Sequence, residues 1–438
     1  MLESELNSVF SEFAEPAPAP EPTPVYREAR LAFVDLNFSW PPNGGADADL
    51  YNVVLGLQEA GHLVKLFGAH EQHSTDRGLF EPSRLPFPAQ RLEFSRAALT
   101  PAGVAGAFRE AVDAWQPDLV FVMHGYALKT ALLQGLSHHR TVSRYYAHEL
   151  ACQRDPLRFR DGAPCPNDYL RTPEVCRRCA LKHLGPAITS GQPTTWVTDY
   201  LAAQAYGPAF HRETLAALRS ARALIVSNSQ MHAHAAEFHP KVYILPGGVH
   251  ARTTTPRPLL PKNEHDKKII LMSGRVDDPL KGLQVLLDAG ERLANRRDDF
   301  AVWATHFDLC ASSDWFRALG WVKPARVAEF YAQSDICVVP SIWDEPFGLV
   351  AIEAMAAARP VVAARVGGLQ DIVHHGDTGL LFSRGDAGEL AQALSQLLDR
   401  PEMRVRMGLR GRHLVEREYD WGGIIQRRYL PMIEELLA

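Results

Sequence analysis

The sequence has 438 residues, enough for about two or three domains of the usual size. Hydrophobic residues make up 46% and charged residues 22%, as in an ordinary globular protein. The 46 basic and 51 acidic side chains give a net charge of −5, which argues against a nucleic-acid binder. No run reaches the roughly 18 uninterrupted apolar residues of a membrane span, and 6 cysteines are too few for a disulfide scaffold.

The amino-terminal residues are acidic and then rich in proline. Residues 1–15 have no apolar core flanked by basic residues, so we predict no signal peptide and a cytoplasmic location. Residues 15–24 read EPAPAPEPTP, which is typical of an extended, disordered segment. We therefore predict a disordered leader over residues 1–28, with order beginning near residue 29.

Short apolar runs then alternate with helical patterns, which predicts a parallel α/β domain over residues 29–250. A loop rich in turn formers, residues 37–46, precedes a helix predicted over 47–61, because Leu50, Val53, Val54 and Leu57 share one face. The predicted strands are residues 31–36, 62–67, 119–123, 142–147, 224–227 and 242–245.

A polar connector, residues 251–267, is followed by a second α/β pattern over residues 268–420. A helix is predicted at 280–293, and strands at 269–272, 300–304, 336–339, 361–363 and 380–382. The last segment, residues 421–438, contains a helix predicted to begin near 423, after a break at 419–422.

The segment Glu345-Pro346-Phe347-Gly348 leads into an apolar run of helical character that begins with Leu349 and Val350. A turn that opens a helix presents unpaired backbone N–H groups and the positive end of a dipole, which favours phosphate. Glu353 lies about one turn into this helix, within reach of a ribose beside that phosphate. Glu345 precedes the turn and would face the sugar end of the same ligand. The alternative is a surface turn with two solvated carboxylates.

A second segment, residues 273–282, directly follows the first strand of the carboxyl-terminal half. Gly274 allows a sharp turn at the strand end. Arg275 and Lys281 then converge to neutralise the charge that develops on a diphosphate leaving group. The alternative is a solvated loop with surface cations.

The Glu-x7-Glu spacing of Glu345 and Glu353, with the Gly-Arg…Lys-Gly pattern of residues 274–282, resembles glycosyltransferase family 4, the retaining GT-B enzymes also called glycosyl transferases group 1. Gly247-Gly248, Pro340-Ser341 and Gly367-Gly368 match further segments of that family. The resemblance covers roughly residues 31–418 and is looser in the amino-terminal half. It implies two Rossmann-like domains facing a central cleft, with residues 421–438 crossing back to the first domain.

The same resemblance assigns roles in the amino-terminal half. The loop ending at Gly44 and Gly45 is expected to close over the donor phosphates. His148, followed by Glu149 where the family has Asp, is expected at a strand end near the reacting carbon of the sugar. His124 and Tyr126, after an earlier strand, are candidates on the acceptor side. A purely structural histidine is the alternative at positions 124 and 148.

Two further features raise the question of a metal. Asp47-Ala48-Asp49 has the Asp-x-Asp spacing, but its place at a helix start favours helix capping. Four cysteines lie in a basic insert at about residues 150–185, and Cys-x2-Cys spacing suits tetrahedral zinc. The insert therefore holds a structural zinc or another metal ion, or else reduced thiols without a metal; a disulfide is disfavoured in the cytosol. These cysteines are Cys152, Cys165, Cys176 and Cys179.

The sequence thus predicts a retaining glycosyltransferase that needs no cofactor for catalysis. The donor is a UDP-, GDP- or ADP-linked sugar, and the acceptor is a glycan, a glycolipid or lipid-linked glycan, or a small molecule, in cell-envelope or exported polysaccharide synthesis. No nucleic-acid partner is expected, and the basic insert leaves open a peripheral location at the inner membrane surface. The alternatives are a catalytically silent nucleotide-sugar-binding scaffold, or an epimerase or phosphorylase of the same fold.

Overall fold

The computed structural model describes residues 26–72, 77–190, 194–251, 267–305 and 313–438. In this part of the chain there are two compact α/β units. The first runs to Pro246 and includes Ile424–Ala438, and the second is Gly247–Gly423. Nearly all of the predicted leader 1–28 and of the predicted connector 251–267 lies outside the described residues.

The first unit is built on a seven-stranded sheet in which every neighbouring pair is parallel. Its order is β3-β2-β1-β4-β5-β8-β9. A separate antiparallel hairpin, β6 with β7, lies in the cysteine-rich insert. The strands are β1 (Arg30–Asp35), β2 (Leu63–Glu71), β3 (Ala89–Phe94), β4 (Leu119–Val122), β5 (Thr141–Arg144), β6 (Phe159–Arg160), β7 (Ala163–Pro164), β8 (Ala223–Val226) and β9 (Val242–Ile244).

Helices cover this sheet, so its central strands are buried on both faces. All four residues of β4 and of β8 are buried, which explains their continuous apolar sequence. Each fully buried Val, Leu or Ile side chain contributes about 1.5–3 kcal/mol to folding. The helices are α1 (Gly45–Glu59), α2 (Pro101–Trp115), α3 (Lys129–Gly135), α4 (Pro173–Thr189), α5 (Thr195–Ala202), α6 (Pro208–Ser220) and α7 (Ser229–Ala235).

The second unit has a six-stranded sheet of order β12-β11-β10-β13-β14-β15, again with every pair parallel. Its strands are β10 (Lys268–Met272), β11 (Phe300–Ala304), β12 (Phe316–Ala318), β13 (Ile336–Val339), β14 (Val361–Ala364) and β15 (Gly379–Phe382). Its helices are α8 (Leu283–Ala294), α9 (Pro324–Gln333), α10 (Leu349–Ala356), α11 (Leu369–Ile372), α12 (Ala387–Asp399) and α13 (Pro401–Leu414). The predicted fold class, two parallel α/β units, is confirmed.

The carboxyl-terminal segment begins with α14 (Trp421–Ile424), continues as a π-helical turn over Ile425–Tyr429 and ends with α15 (Leu430–Leu437). It packs within the first unit from Ile424 onward. The buried Arg144 of β5 donates from Nη1 to the Tyr429 hydroxyl at 2.9 Å, and Arg140 donates to the Leu437 carbonyl at 2.7 Å. These bonds join the end of the chain to the centre of the first sheet.

Three sequence expectations need correction. The strand predicted at 142–147 ends at Arg144, because the Glu149 carboxylate accepts the N–H groups of Tyr146 at 3.4 Å and Ala147 at 2.8 Å and bends the chain. The helix predicted from 280 begins at Leu283, since Gly282 has a left-handed φ of +82° and residues 279–281 form a 3₁₀ turn. The edge strands β3 and β12 were missed.

Candidate functional site

The strand order of the second unit reverses between β10 and β13. The chain passes from β10 outward to β11 and β12, and β13 then pairs with the other side of β10. Ligands of open parallel sheets bind beyond the carboxyl ends of strands at such a reversal. The loop after β10 carries Gly274, Arg275 and Lys281, and the loop after β13 leads to Glu345. Both predicted donor segments therefore leave the sheet at its reversal point.

Glu345 and Lys281, to which the sequence assigned separate roles, form one cluster. Lys281 Nζ lies 2.6 Å from Glu345 Oε1, and the Ser341 hydroxyl donates to the same oxygen at 2.6 Å. Glu345 is buried, while the Lys281 side chain is about a quarter exposed, at 24%. The Lys281 ammonium also lies 5.4 Å from the centre of the Trp343 ring. Charge-assisted bonds of this length fix the orientation of both side chains.

Arg275 differs from Lys281 in its surroundings. It is exposed, and among the described residues its guanidinium has no hydrogen-bond or ion-pair partner. The chain turns just before it, at Gly274, where φ is +100°. The Gly274 carbonyl is held by the Thr305 hydroxyl at 2.8 Å and by the Val276 N–H at 2.9 Å. A fixed backbone thus presents an unpaired cation at the end of β10.

Two glycines shape the turn at Glu345. A Cβ added at Gly367, where φ is +44°, would lie 2.2 Å from the Glu345 carbonyl oxygen. A Cβ added at Gly368 would lie 2.7 Å from the Phe347 carbonyl oxygen, and the Gly368 N–H donates to the Glu345 carbonyl at 2.7 Å. The loop after β14 therefore packs directly on the backbone of this turn, as only glycine permits. Phe347 packs against Tyr419, with ring centres 5.8 Å apart.

Helix α10 opens immediately after this turn. Its N-cap is Gly348, with φ at +135° and no side-chain capping bond. Within the described part of the chain, the N–H groups of Leu349 and Val350 donate no hydrogen bond to the protein. The next two N–H groups, of Ala351 and Ile352, bond to the Gly348 carbonyl at 2.9 and 3.4 Å. Free N–H groups at a helix start favour an anion.

Glu353 lies one turn further along α10 and is hydrogen-bonded by a residue that the sequence did not single out. The Tyr331 hydroxyl lies 2.9 Å from Glu353 Oε2 and 2.7 Å from the Ser273 hydroxyl. Burial raises the pKa of Glu353, and the Tyr331 bond opposes that rise. Tyr331 was missed because a tyrosine in a helical pattern is usually only a core residue.

The first unit has its own reversal point, between β1 and β4. Asp35 ends β1 and is fully buried; its carboxylate accepts the N–H of Asn37 at 2.7 Å and of His124 at 3.0 Å. Burial by itself lowers the pKa of His124, but the Asp35 carboxylate, 3.5 Å from Nδ1, more than offsets this and raises it. Asp35 was not recognised from the sequence, since one acid at a strand end has no distinctive spacing.

Tyr126 and His148 occupy turns after β4 and β5. Tyr126 has φ at +40°, and its ring meets Trp196 edge-on with centres 4.8 Å apart. His148 is buried and lies four residues beyond β5 rather than at its end, which corrects the expected position. Its N–H donates to the Pro156 carbonyl at 3.0 Å, and its carbonyl accepts from Ala151 and Cys152 at 2.9 and 3.0 Å.

The loop before α1 is ordered by Asp47. Its carboxylate accepts the N–H of Ser39 at 3.2 Å and of Asn43 at 3.0 Å, so it tethers the loop instead of capping the helix. The N-cap residue is Gly44, which has no side-chain capping bond and meets no atom within 4 Å of an added Cβ. Gly45 is the first residue of the helix.

Asp49 also has a role other than capping. It lies 2.9 Å from Nη2 of the buried Arg144 and accepts the hydroxyl of the half-buried Tyr146 at 3.1 Å. Burial raises the pKa of Asp49, whereas Arg144 and Tyr146 lower it. The capping interpretation of Asp47-Ala48-Asp49 is therefore wrong: both carboxylates bond to groups outside α1.

The four cysteines of the insert line one cavity of about 370 Å³, together with Arg158 and Asn167. All four are free thiols, and Cys176 is buried. Tetrahedral zinc needs sulfur atoms about 3.8 Å apart. Among the described residues, no three of these sulfur atoms lie within 4.8 Å of one another. The predicted structural zinc is therefore not supported by this geometry.

The predicted basic character of the insert is largely offset by acidic neighbours. Arg154 lies 3.3 Å from Asp155, Arg160 lies 2.8 Å from Asp161, and Arg177 pairs with Glu174. Arg158 lies 3.8 Å from Asp168, while Arg178 is exposed. The net positive field of the insert is thus weaker than its arginine count indicates.

Potential metal-ligand atoms do come together elsewhere in the first unit, at Asp113, His138 and His139. The two Nε2 atoms lie 2.8 and 2.6 Å from Asp113 Oδ1, and the three ligand atoms lie within 4.8 Å of one another. These residues precede β4 and β5 in the chain, at the amino ends of the strands. They therefore lie at the edge of the sheet opposite His124.

Comparison with known proteins supports the assignment of the second unit. Residues 267–400 match the family described as glycosyl transferases group 1. Residues 267–400 are therefore similar to that family, which confirms the resemblance found in the sequence over this segment. The matched residues include Arg275, Lys281, Glu345 and Glu353.

Curated relatives align mainly over part of the chain. A phosphatidyl-myo-inositol mannosyltransferase of Mycobacterium leprae is 33% identical over 185 residues, covering 40% of this chain and 49% of the relative. A D-inositol 3-phosphate glycosyltransferase of Corynebacterium aurimucosum is 41% identical over 134 residues, or 30% of each chain. The chain thus spans at most about half the length of these relatives.

Solved structures match over nearly the whole chain. Sucrose-phosphate synthase of Thermosynechococcus elongatus has a TM-score of 0.64 at 21% identity, covering 94% of this chain and 99% of its own. Anabaena HepE, solved in complex with UDP-glucose, has a TM-score of 0.60 at 15% identity, covering 93% of this chain and 100% of its own. These similarities confirm the GT-B fold. No helix in the described ranges is long and apolar enough to span a bilayer.

Proposed function

We propose that this protein is a retaining glycosyltransferase of family 4 that transfers a sugar from a nucleoside diphosphate sugar to an acceptor hydroxyl. The observation that carries the proposal is the cluster of Lys281, Ser341 and Glu345 beside the start of α10. It joins, in one unit, a cation for the diphosphate, a fixed carboxylate for sugar hydroxyls and a helix start with unpaired N–H groups.

The donor is proposed to lie along the carboxyl ends of β10 and β13. Arg275, Lys281 and the N–H groups of Leu349 and Val350 would hold the diphosphate, and Gly274, Phe347 and Gly348 would shape its pocket. Glu353 would accept the ribose hydroxyls, and Glu345 would accept those of the sugar. Since Lys281 already neutralises Glu345, a bound diphosphate would share this ammonium group.

The reaction breaks the bond between the sugar C1 and the leaving phosphate oxygen and forms one between C1 and the acceptor oxygen on the same face. The acceptor proton passes to the departing phosphate. Arg275 and Lys281 stabilise the charge that grows on that phosphate, which is the role a divalent cation has in other transferases. We therefore propose that catalysis requires no metal ion.

In the first unit, His148 is proposed to contact the transferred sugar, and His124 with Tyr126 to contact the acceptor. The raised pKa of His124 keeps a larger fraction of its ring protonated at neutral pH, so it is suited to donate a hydrogen bond. The loop ending at Gly44 and Gly45 is proposed to cover the donor phosphates. The acceptor is proposed to be a glycan, a glycolipid or lipid-linked glycan, or a small molecule, in polysaccharide synthesis in the cytoplasm or at its membrane surface.

The test is calorimetric titration of the protein with UDP, GDP and ADP, each with and without EDTA, repeated on Arg275→Ala. One nucleotide should bind saturably, unaffected by EDTA, and more weakly to the variant. Absence of binding for all three would overturn the donor site and favour a silent scaffold. Transfer from the matching nucleotide sugar to an acceptor then separates a transferase from an epimerase, which would alter the sugar without an acceptor.

A further inference from the structure

The first unit contains a pocket of about 570 Å³, a volume that includes space open to solvent, and its walls come from several separate segments. They are the turn and helix after β4, the bend after β5, the cysteine-rich insert, α5 and α6. Its principal lining residues are Tyr126, Lys129, Gln153, Tyr169, Trp196 and Tyr200.

The walls are mainly aromatic. Tyr126 and Trp196 meet edge-on at 4.8 Å between ring centres, and Tyr169 and Tyr200 are buried at 3% and 2% exposure. Aromatic walls favour flat apolar groups, because rings gain stacking and edge-to-face contacts beyond the burial of their area. This composition indicates a ring-shaped ligand more than a hydrated sugar.

Two buried polar atoms of the wall have no hydrogen-bond partner among the described contacts. These are the Tyr200 hydroxyl and Gln153 Oε1. The exposed fraction is 2% for Tyr200 and 5% for Gln153, so open solvent does not satisfy them. Gln153 Nε2 bonds to the Ala205 carbonyl at 3.4 Å and its side chain also bonds to Tyr169, but no described group donates to Oε1. Buried groups without partners are rare in folded proteins and call for an explanation, for which a bound molecule that supplies the missing bond is one candidate.

The charges of the wall favour a neutral ligand. Lys129 Nζ donates to the Arg144 carbonyl at 2.6 Å and lies 3.5 Å from Glu149 Oε1. Its charge is therefore already balanced within the protein, and burial lowers its pKa. Burial raises the pKa of Tyr200 to about 12, so its hydroxyl keeps its proton at neutral pH. A phosphate or carboxylate would find no free cation here.

From these observations we propose that the cavity binds a neutral, ring-bearing group with a hydroxyl or amine, as the aglycone end of the acceptor. The donor hydrogen of that group would satisfy Gln153 Oε1, and the Tyr200 hydroxyl would bond to its heteroatom. Tyr126 lies two residues after His124, and Glu149 and Leu150 directly follow His148, so the cavity adjoins both proposed reaction segments. The role of this group as an acceptor rests on the proposed function, whereas its binding to the cavity does not.

The experiment measures binding of 2-naphthol by calorimetry to the full chain without nucleotide. Saturable one-to-one binding is expected. Tyr200→Phe should weaken it about five- to tenfold, the loss of one hydrogen bond. The melting temperature should not fall, because the removed hydroxyl has no partner in the protein. Ala217→Met, which fills the cavity from α6, should weaken binding further. Tyr206→Phe is the matched control, because Tyr206 is 42% exposed and outside the cavity.

The inference would be overturned if 2-naphthol did not bind. It would also be overturned if the wild type, Tyr200→Phe and Ala217→Met bound 2-naphthol equally well. Equally tight binding of 1-octanol would overturn it too, because that result would indicate a site for alkyl chains. Arg275→Ala should retain full 2-naphthol binding. Nucleotide binding without 2-naphthol binding would leave the proposed donor site intact and refute the cavity assignment. Binding of 2-naphthol without any nucleotide binding would support the cavity assignment and refute the proposed donor site.

Discussion

The Glu345 carboxylate receives two short hydrogen bonds in a buried position, from Lys281 and Ser341. Desolvation of a carboxylate is costly unless it is paired, so removal of Lys281 would leave Glu345 as a buried charge without its cation. The same ammonium group is our candidate for the leaving diphosphate. In the proposed reaction, a single lysine would thereby connect the orientation of Glu345 with the charge that develops on the leaving group.

Lys281→Ala is expected to lower kcat about 10²- to 10³-fold, the usual effect of removing one group that stabilises developing charge. The KM for the donor should change less, since Arg275 and the start of α10 remain. Steady-state kinetics with the matching nucleotide sugar provides the measurement. Lys182→Ala, at an exposed position of α4, is the control. A raised KM with unchanged kcat would show that Lys281 only binds the ground state.

Tyr331→Phe tests whether Tyr331 positions Glu353. Loss of the 2.9 Å bond to Glu353 should weaken nucleotide binding about two- to tenfold at pH 7. The pKa of Glu353 is already raised by burial, and the Tyr331 bond opposes that rise. Its removal should raise the pKa further.

The sign of the pH effect follows from these shifts. In the proposed donor site, Glu353 would accept two ribose hydroxyls best when ionised, so nucleotide affinity should fall as the pH falls through its pKa. In Tyr331→Phe this fall should occur at higher pH than in the wild type. Calorimetry between pH 5 and 8 would show the displacement. An unshifted pH profile with uniformly weaker binding would indicate a merely structural role for Tyr331.

At the scale of elements, the left-handed backbone conformation of Gly282 decides where α8 begins. Gly282 has φ at +82°, and a Cβ there would lie 1.9 Å from the Pro340 carbonyl oxygen. The turn carrying Lys281 is therefore packed directly on the loop after β13. This contact keeps Lys281 and Glu345 within bonding distance.

Gly282→Ala and Gly385→Ala form a matched pair that separates conformational strain from steric overlap. Gly385 has a similar φ of +73°, but an added Cβ meets nothing within 4 Å. Gly385→Ala should cost about 1–2 kcal/mol from strain alone. Gly282→Ala should cost about 1–3 kcal/mol more because the backbone must move, and should also weaken nucleotide binding. Urea unfolding and calorimetry give both quantities. Equal losses in the two variants would contradict the packing argument.

At the scale of the whole molecule, residues from Ile424 onward belong to the first unit although they follow the second in sequence. The buried Arg144 links Asp49 of α1 with Tyr429 of this segment, at 2.9 Å in each case. The chain end is thus part of the charge network within the first unit.

Tyr429→Phe is expected to destabilise the first unit by about 1.5–3 kcal/mol, because a buried charged group loses a partner. Scanning calorimetry should show a melting temperature lower by roughly 3–12 °C for a unit of this size. Tyr243→Phe is the control: its hydroxyl donates to the exposed Glu435 at 2.7 Å, so its loss should cost less than about 1 kcal/mol. Equal effects would show that Arg144 does not depend on Tyr429.

The sequence by itself determined the alternation of strands and helices, the two parallel units and the resemblance of the second unit to glycosyl transferases group 1. These follow from local patterns, as in the buried strand 336–339 and the Glu345-x7-Glu353 spacing. Tertiary structure alone decided which polar groups meet: Lys281 with Glu345, Tyr331 with Glu353, Asp35 with His124 and Asp49 with Arg144. Such pairs join residues as many as 95 positions apart. Periodicity describes only near neighbours, and the crossovers of the sheets bring distant residues into contact.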